Sequence, residues 1–144
     1  MSTYQIRSFE RAMQTTNEWL DELDAAFGWD DKQRTYRCFR AVIHALRDRL
    51  PLEESTQLAA QLPMVLTGVY YDGWNPSKTP MSSIRTRDQF LEHVVDAYGA
   101  PDISAPDEMA TLVFGLLEDR ITAGEIEDVK SSLPEQIRTL WPEN

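Results

Sequence analysis

Apolar side chains recur along this chain at intervals of three and four residues, which is the spacing of one face of an α-helix. Two such stripes have the same shape in the two halves of the chain, and each stops at a glycine, Gly28 or Gly99. Glycine closes a helix at little steric cost because it adopts left-handed backbone angles. The pattern therefore predicts one helix before each glycine. The two apolar sets that define these helices are Trp19, Leu20, Leu23, Phe27 and Phe90, Leu91, Val94, Tyr98.

Three further helices are predicted in each half. Pro63 and Pro134 each suit the first turn of a helix, so each is expected to open a fourth helix of its half. Apolar and polar residues nowhere alternate in a β-branched run, so no sheet is expected. The predicted fold is all-α, a helical bundle of about eight helices. The apolar spacing places the second and third helices at roughly 34–50, 105–120, 52–61 and 123–131.

Helix starts are predicted from side chains that can accept a hydrogen bond from the first backbone N–H groups of a helix. The first long helix is expected to start at Thr15, which leaves residues 4–13 for a short extra helix or an arm. The residue pairs that fit such caps are Thr15 with Glu18, Thr86 with Gln89, Ser104 with Asp107, and Thr122 with Glu125.

The two halves match at a constant offset of 71 residues without a gap. We interpret the chain as a tandem duplication of a four-helix unit within one domain, residues 1–144. The first repeat spans 15–73, a linker spans 74–85, and the second repeat spans 86–144. Pseudo-two-fold packing and tandem stacking are both open, with the seam expected around the fourth helices and the linker. Identical residues at this offset include Leu46, Asp48, Arg49, Glu54, Leu62 and Pro63, which recur as Leu117, Asp119, Arg120, Glu125, Leu133 and Pro134.

Length, charge and cysteine content limit the classes of protein to which this chain can belong. With 144 residues and 42% apolar content, the chain is long enough to bury a core without a metal or disulfide. A formal net charge of −10 disfavours nucleic acid and anionic membranes, because binding to phosphate depends on Lys and Arg. Cys38 is the only cysteine, and the N-terminus has no apolar segment typical of a signal peptide. We therefore expect a cytoplasmic protein.

Residues with catalytic potential do not form a recognised motif. His44 and His93 lack partners at metal-binding spacing, so no metal or other cofactor is expected. Cys38 adjoins an apolar face and is interpreted as a packed thiol. The 6 glycines do not form a phosphate-binding loop. These observations favour a protein that is not an enzyme.

A basic stripe is the first candidate for a binding surface. Arg37, Arg40, His44 and Arg47 follow one another at intervals of three and four, so they share a helix face beside the core stripe. One interpretation is a solvated face, or pairing within the chain with the acidic second half. The other is docking of an acidic partner, including the second half of another copy. The corresponding positions of the second repeat are Glu108, Thr111, Gly115 and Glu118.

Aromatic residues in and before the linker are the second candidate. Tyr70, Tyr71 and Trp74 could form an exposed anchor, since Tyr and Trp often dominate binding energy. Alternatively, they fold back and lock the two repeats together. The candidate binding surface combines both features and consists of Arg37, Arg40, His44, Arg47, Tyr71 and Trp74.

The chain also resembles a known family. Two features carry the resemblance, the helix 40–50 with the segment that follows it, and the linker. They are similar to the prokaryotic family catalogued as domain of unknown function 2267, over about residues 17–141. The resemblance implies an all-helical duplicated domain and no assigned reaction. In the second repeat, three small or polar residues of the pattern are replaced by Lys130, Ser131 and Ser132. The residues quoted for the resemblance are 40–50, Glu54, 58–63, Tyr71, Gly73, Trp74, Pro76 and Pro80.

Two functions from different classes follow from these observations. The first is a non-enzymatic protein-interaction or self-associating module whose partner is an acidic protein or a second copy. The second is an adaptor or sensor that binds a small ligand in a pocket between the repeats, with Arg37, Arg40 and Trp74 near its mouth.

Overall fold

The computed structural model describes residues 6–143. Within that range the chain forms eight α-helices, one 3₁₀ turn at Pro76–Lys78 and no β-strand, so the predicted all-α helical bundle is confirmed. In chain order the helices are α1 (Arg7–Phe27), α2 (Lys32–Arg49), α3 (Leu52–Ala59), α4 (Met64–Tyr71), α5 (Arg87–Tyr98), α6 (Pro106–Arg120), α7 (Ala123–Ser131) and α8 (Glu135–Arg138).

The helix ends predicted at Gly28 and Gly99 are confirmed, and so are the helix starts predicted at Thr86 and Thr122. Gly28 and Gly99 both adopt left-handed angles, with φ of 69° and 68°, and they end α1 and α5. At the start of α5, Thr86 Oγ1 accepts a hydrogen bond from the Gln89 N–H, and Gln89 Oε1 accepts one from the Thr86 N–H. Thr122 caps α7 in the same way, through its hydroxyl oxygen and the Glu125 N–H.

Two predicted helix starts are wrong. α1 begins at Arg7 and not at Thr15, because residues 7–15 are good helix formers that continue the first helix without a break. The N-cap of α6 is Ala105 and not Ser104, since Pro106 occupies the first helical position. The Ser104 hydroxyl instead accepts a hydrogen bond from Arg34.

The repeats interlock through their first three helices. α2 makes the largest helix-to-helix contact among the described residues, with α5, and α1 packs on α6. α2 also meets α6, and α3 meets α7. The seam expected around the fourth helices and linker is therefore misplaced. α2 is buried on most of its circumference, so it must pack against both repeats.

Helix boundaries recur at the offset found in the sequence. α1 and α5 end at residues 27 and 98, α3 and α7 begin at 52 and 123, and α4 and α8 begin at 64 and 135. The contacts between the repeats are reciprocal, because the first helix of each half packs on the second helix of the other: α1 contacts α6, and α5 contacts α2. This reciprocal pattern is that of a pseudo-two-fold axis. The duplication itself stays a prediction, but equivalent positions can be compared directly.

Two equivalent carboxyl groups meet where α3 packs on α7. Glu54 and Glu125 lie at the repeat offset, and Glu125 is only 9% exposed. Within residues 6–143, neither Glu54 Oε2 nor Glu125 Oε2 has a hydrogen-bond partner. Burial, the adjacent Glu54 and the charge of Asp128 together raise the pKa of Glu125 to about 8. A proton held between the two groups would supply the missing donor.

We predict that replacing this carboxyl group flattens the pH dependence of stability. A carboxyl pKa raised in the folded state contributes stability that is complete below the unfolded pKa of about 4.3. That stability is lost as the pH rises through about 8. Glu125→Gln should therefore match the wild type near pH 5 and exceed it at pH 8.5 by on the order of 1 to 3 kcal/mol.

Urea denaturation across this pH range measures the effect, with Glu127→Gln as the control because Glu127 is exposed on the same helix. Parallel pH profiles for wild type and Glu125→Gln would contradict the shared proton.

Candidate functional site

The first two members of the basic stripe are half-exposed and paired within the chain. Arg37 lies 2.8 Å from the Asp102 carboxylate and also donates to the Tyr98 hydroxyl at 3.4 Å. Arg40 lies 3.1 Å from the Asp72 carboxylate. Both guanidinium groups therefore face carboxylates of their own chain, as in the interpretation of intramolecular pairing.

The other two members of the stripe are buried, His44 at 6% and Arg47 at 5% exposure. His44 Nε2 lies 2.6 Å from the Val69 carbonyl oxygen, so it carries the proton and donates. Burial lowers the pKa of His44, and the nearby Arg47 charge lowers it further. The stripe thus does not form a continuous exposed face, and these two residues do not belong to an accessible binding surface.

Arg47 holds the end of α4 and its C-terminal cap residue, Asp72, on α2. One terminal nitrogen donates to the carbonyl oxygens of Tyr70 at 2.8 Å and Asp72 at 3.0 Å. Nε donates to Asp48 at 2.9 Å. A buried charge is tolerated when it is paired and its donors are satisfied, and these contacts meet both conditions.

The aromatic candidates fold back onto the protein. The rings of Tyr71 and Trp74 stack with centroids 5.3 Å apart. The indole N–H of Trp74 donates to the Thr79 hydroxyl at 2.8 Å. Both rings are partly buried, and these contacts lie within the end of the first repeat and the linker. The linker borders the groove between α2 and α5, which we name the first groove, and the Met81 N–H donates to the Asp48 carbonyl oxygen at 2.8 Å.

A His–Asp pair in the first groove was missed by sequence reasoning. His93 Nε2 lies 2.9 Å from Asp48 Oδ2, and Asp48 Oδ1 accepts from Arg47. Burial alone would raise the pKa of Asp48, but the hydrogen bonds from His93 and Arg47 outweigh it and lower that pKa. The two partners come from different repeats, and only their packing brings them together. They border a cavity of about 240 Å³ lined by Arg47, Asp48, Gly73, Asn75, Lys78, Thr79, Met81 and His93.

The equivalent groove on the other side of the pseudo-two-fold axis has a larger cavity. It lies between α1 and α6, and we name it the second groove. Glu118, Asp119 and Glu22 occupy the positions equivalent to Arg47, Asp48 and His93 of the first groove. The cavity has a volume of about 380 Å³ and is lined by Glu22, Leu23, Ala26, Leu112, Gly115, Leu116, Glu118, Asp119 and Pro142.

Two side chains that line the second groove differ in kind from their counterparts in the first repeat. Gly115 stands where the first repeat has His44, so no side chain extends from that position. Glu118 stands where the first repeat has Arg47, and a carboxylate cannot donate to carbonyl oxygens. Glu118 instead pairs with Lys130 at 3.0 Å. Both positions were visible in the sequence as counterparts of the basic stripe, but their effect depends on the packing.

The remaining reactive side chains are engaged in packing. Cys38 is fully buried, and burial raises the pKa of its thiol well above the usual range. Among residues 6–143, no group of three or more His, Cys, Asp or Glu side chains is placed to hold a metal ion. None of the described helices is both long and apolar enough to cross a membrane.

Comparison with known proteins identifies the family. A family model described as an uncharacterized conserved protein (DUF2267) matches residues 16–140, which is most of the chain. The chain therefore belongs to the DUF2267 family, as the resemblance in its sequence indicated. No curated protein matches the sequence.

We predict that Arg47 and Arg40 differ in their effect on stability. Arg47→Met removes the donors of two carbonyl oxygens and one partner of Asp48, so it should lower the free energy of unfolding by about 2 to 4 kcal/mol. Arg40→Met removes a half-exposed ion pair and should cost about 0.2 to 1 kcal/mol. Urea denaturation of both variants checks this, and equal losses would show that Arg47 does not fasten the linker.

Proposed function

We propose that this DUF2267 protein is a non-enzymatic interaction module that binds a partner in the second groove. The observation that carries the proposal is the contrast between two equivalent grooves. The lining of the first is mostly polar and includes part of the linker, whereas the second combines apolar side chains with three carboxylates around a larger cavity. An apolar surface with a polar rim is typical of a site that binds another chain.

The placement of the candidate residues supports this choice of surface. Arg40 and Arg47 bind residues at the end of α4, and Tyr71 stacks on Trp74 at the start of the linker, so these side chains are engaged inside the chain. The first groove is thus occupied by the chain itself. The second groove offers the equivalent surface to a segment from elsewhere.

We expect the polar side chains of the first groove to serve the fold and not a reaction. His93 is paired with Asp48, and the Thr79 hydroxyl in the same cavity accepts the Trp74 indole N–H. The first contact joins α2 to α5, and the second lies within the linker.

A second candidate function is binding of a small ligand in the same groove. The second groove lies between α1 of the first repeat and α6 of the second, and its volume of about 380 Å³ falls within the usual range of ligand sites. It is not lined by Arg37, Arg40 or Trp74, which were expected at its mouth. A compound that raises the melting temperature of the wild type, but not of a groove-filled variant, would favour this function.

We predict that Gly115→Leu blocks partner binding without unfolding the protein. A Cβ at residue 115 meets only Pro142 Cγ, at 3.5 Å, which is ordinary contact. Leucine also favours a helix over glycine by about 0.8 to 1 kcal/mol, so stability should not fall. The added side chain would occupy the groove and weaken binding at least tenfold, which corresponds to about 1.4 kcal/mol.

The matched control is Gly124→Leu, because Gly124 is a helical glycine with open space beside it and lies outside the groove. Partners recovered by the wild type are identified by mass spectrometry, purified and titrated against all three proteins by calorimetry. The proposal fails if Gly115→Leu binds every reconstituted partner as tightly as Gly124→Leu does.

A further inference from the structure

We propose that the occupant of the second groove is an extended peptide segment that places an aromatic or large aliphatic side chain on the groove floor and a Lys or Arg on its rim. This inference rests on the proposed function and adds the chemical class of the partner. It follows from three differences between the second groove and the first.

The floor of the second groove is apolar where that of the first is polar. Gly115 carries no side chain where the first repeat has His44, and the lining of the first groove is mostly polar. The side chains around this position contain only carbon, so a buried ring or aliphatic group is favoured there. They belong to Leu23, Ala26, Leu112, Leu116 and Pro142.

The rim of the second groove offers hydrogen-bond acceptors where the equivalent residue of the first repeat, Arg47, is a donor. In the first repeat, Arg47 donates to the carbonyl oxygens of Tyr70 and Asp72 at the end of α4. In the second groove, the equivalent Glu118 can only accept, as can Asp119 beside it. A segment that binds there must therefore bring the donors, and an ammonium or guanidinium group brings several at once.

The negative charge of the groove's rim favours the same class of partner, a segment that carries Lys or Arg. The lining contains three carboxylates and no basic side chain. Arg120 binds Glu22 at 2.8 Å and Lys130 binds Glu118 at 3.0 Å, so two of the three are partly neutralised from outside the lining. Asp119 is exposed, and among residues 6–143 no basic group lies within 4.0 Å of its carboxylate. An incoming cation therefore finds its clearest partner at Asp119.

The test compares two fluorescein-labelled, terminally capped peptides, Ala-Lys-Trp-Leu-Lys-Ala and Ala-Glu-Trp-Leu-Glu-Ala, by fluorescence polarisation at low and high salt. The Lys peptide should bind the wild type at least fivefold more tightly, and salt should reduce this preference. Asp119→Asn should weaken the Lys peptide about two- to fivefold, the range of one exposed charge pair. Gly115→Leu should abolish binding of both peptides.

Glu127→Gln is the matched charge control, since Glu127 is exposed on α7 and does not line the groove. The inference is overturned if the Glu peptide binds the wild type as tightly as the Lys peptide, or more tightly. It is also overturned if the Lys peptide binds Gly115→Leu and Asp119→Asn with the same affinity as the wild type. Dimerisation in light scattering that disappears in Gly115→Leu also overturns it, because the occupant is then a second copy. If neither peptide binds while a reconstituted partner is still lost in Gly115→Leu, the partner class is wrong and the proposed function stands.

Discussion

The burial of one guanidinium group determines how this fold is closed. Arg47 lies inside the protein, and its charge is satisfied only if Asp48 and the carbonyl oxygens of Tyr70 and Asp72 remain beside it. Those carbonyls belong to the end of α4 and to the residue that caps it. Satisfying one buried charge therefore fixes the end of α4 on α2, the point from which the chain continues toward the second repeat.

The same arrangement of helices carries different side chains on the two sides of the pseudo-two-fold axis. At equivalent positions the first half has Arg47 and His44, and the second half has Glu118 and Gly115. The first difference replaces a donor by an acceptor, and the second removes a side chain altogether. Helix ends on both sides keep the repeat offset, so the chemistry of the two grooves differs while their helices correspond.

How far the sequence predicts this structure depends on the range of each interaction. The ends at Gly28 and Gly99 and the cap at Thr86 are local, and they were predicted. The start of α1 was misplaced because Thr15, a good cap in isolation, lies within a segment that is helical on both sides. The burial of Arg47 could not be predicted, since a basic stripe resembles a solvated face until the carbonyls that accept its hydrogen bonds are known. The same holds for the pair of His93 and Asp48, whose partners come from different repeats.

The pseudo-two-fold axis imposes a further constraint that single-copy folds do not have. A residue near such an axis faces its own counterpart, so a charge placed there meets a like charge. Glu54 and Glu125 are in this position between α3 and α7, and burial prevents water from separating them. A proton shared between them would relieve both the repulsion and the missing hydrogen-bond donor. Burial and the adjacent Glu54 raise the pKa of Glu125 to about 8, and this pair lies on α3 and α7, whereas the second groove is formed by α1 and α6.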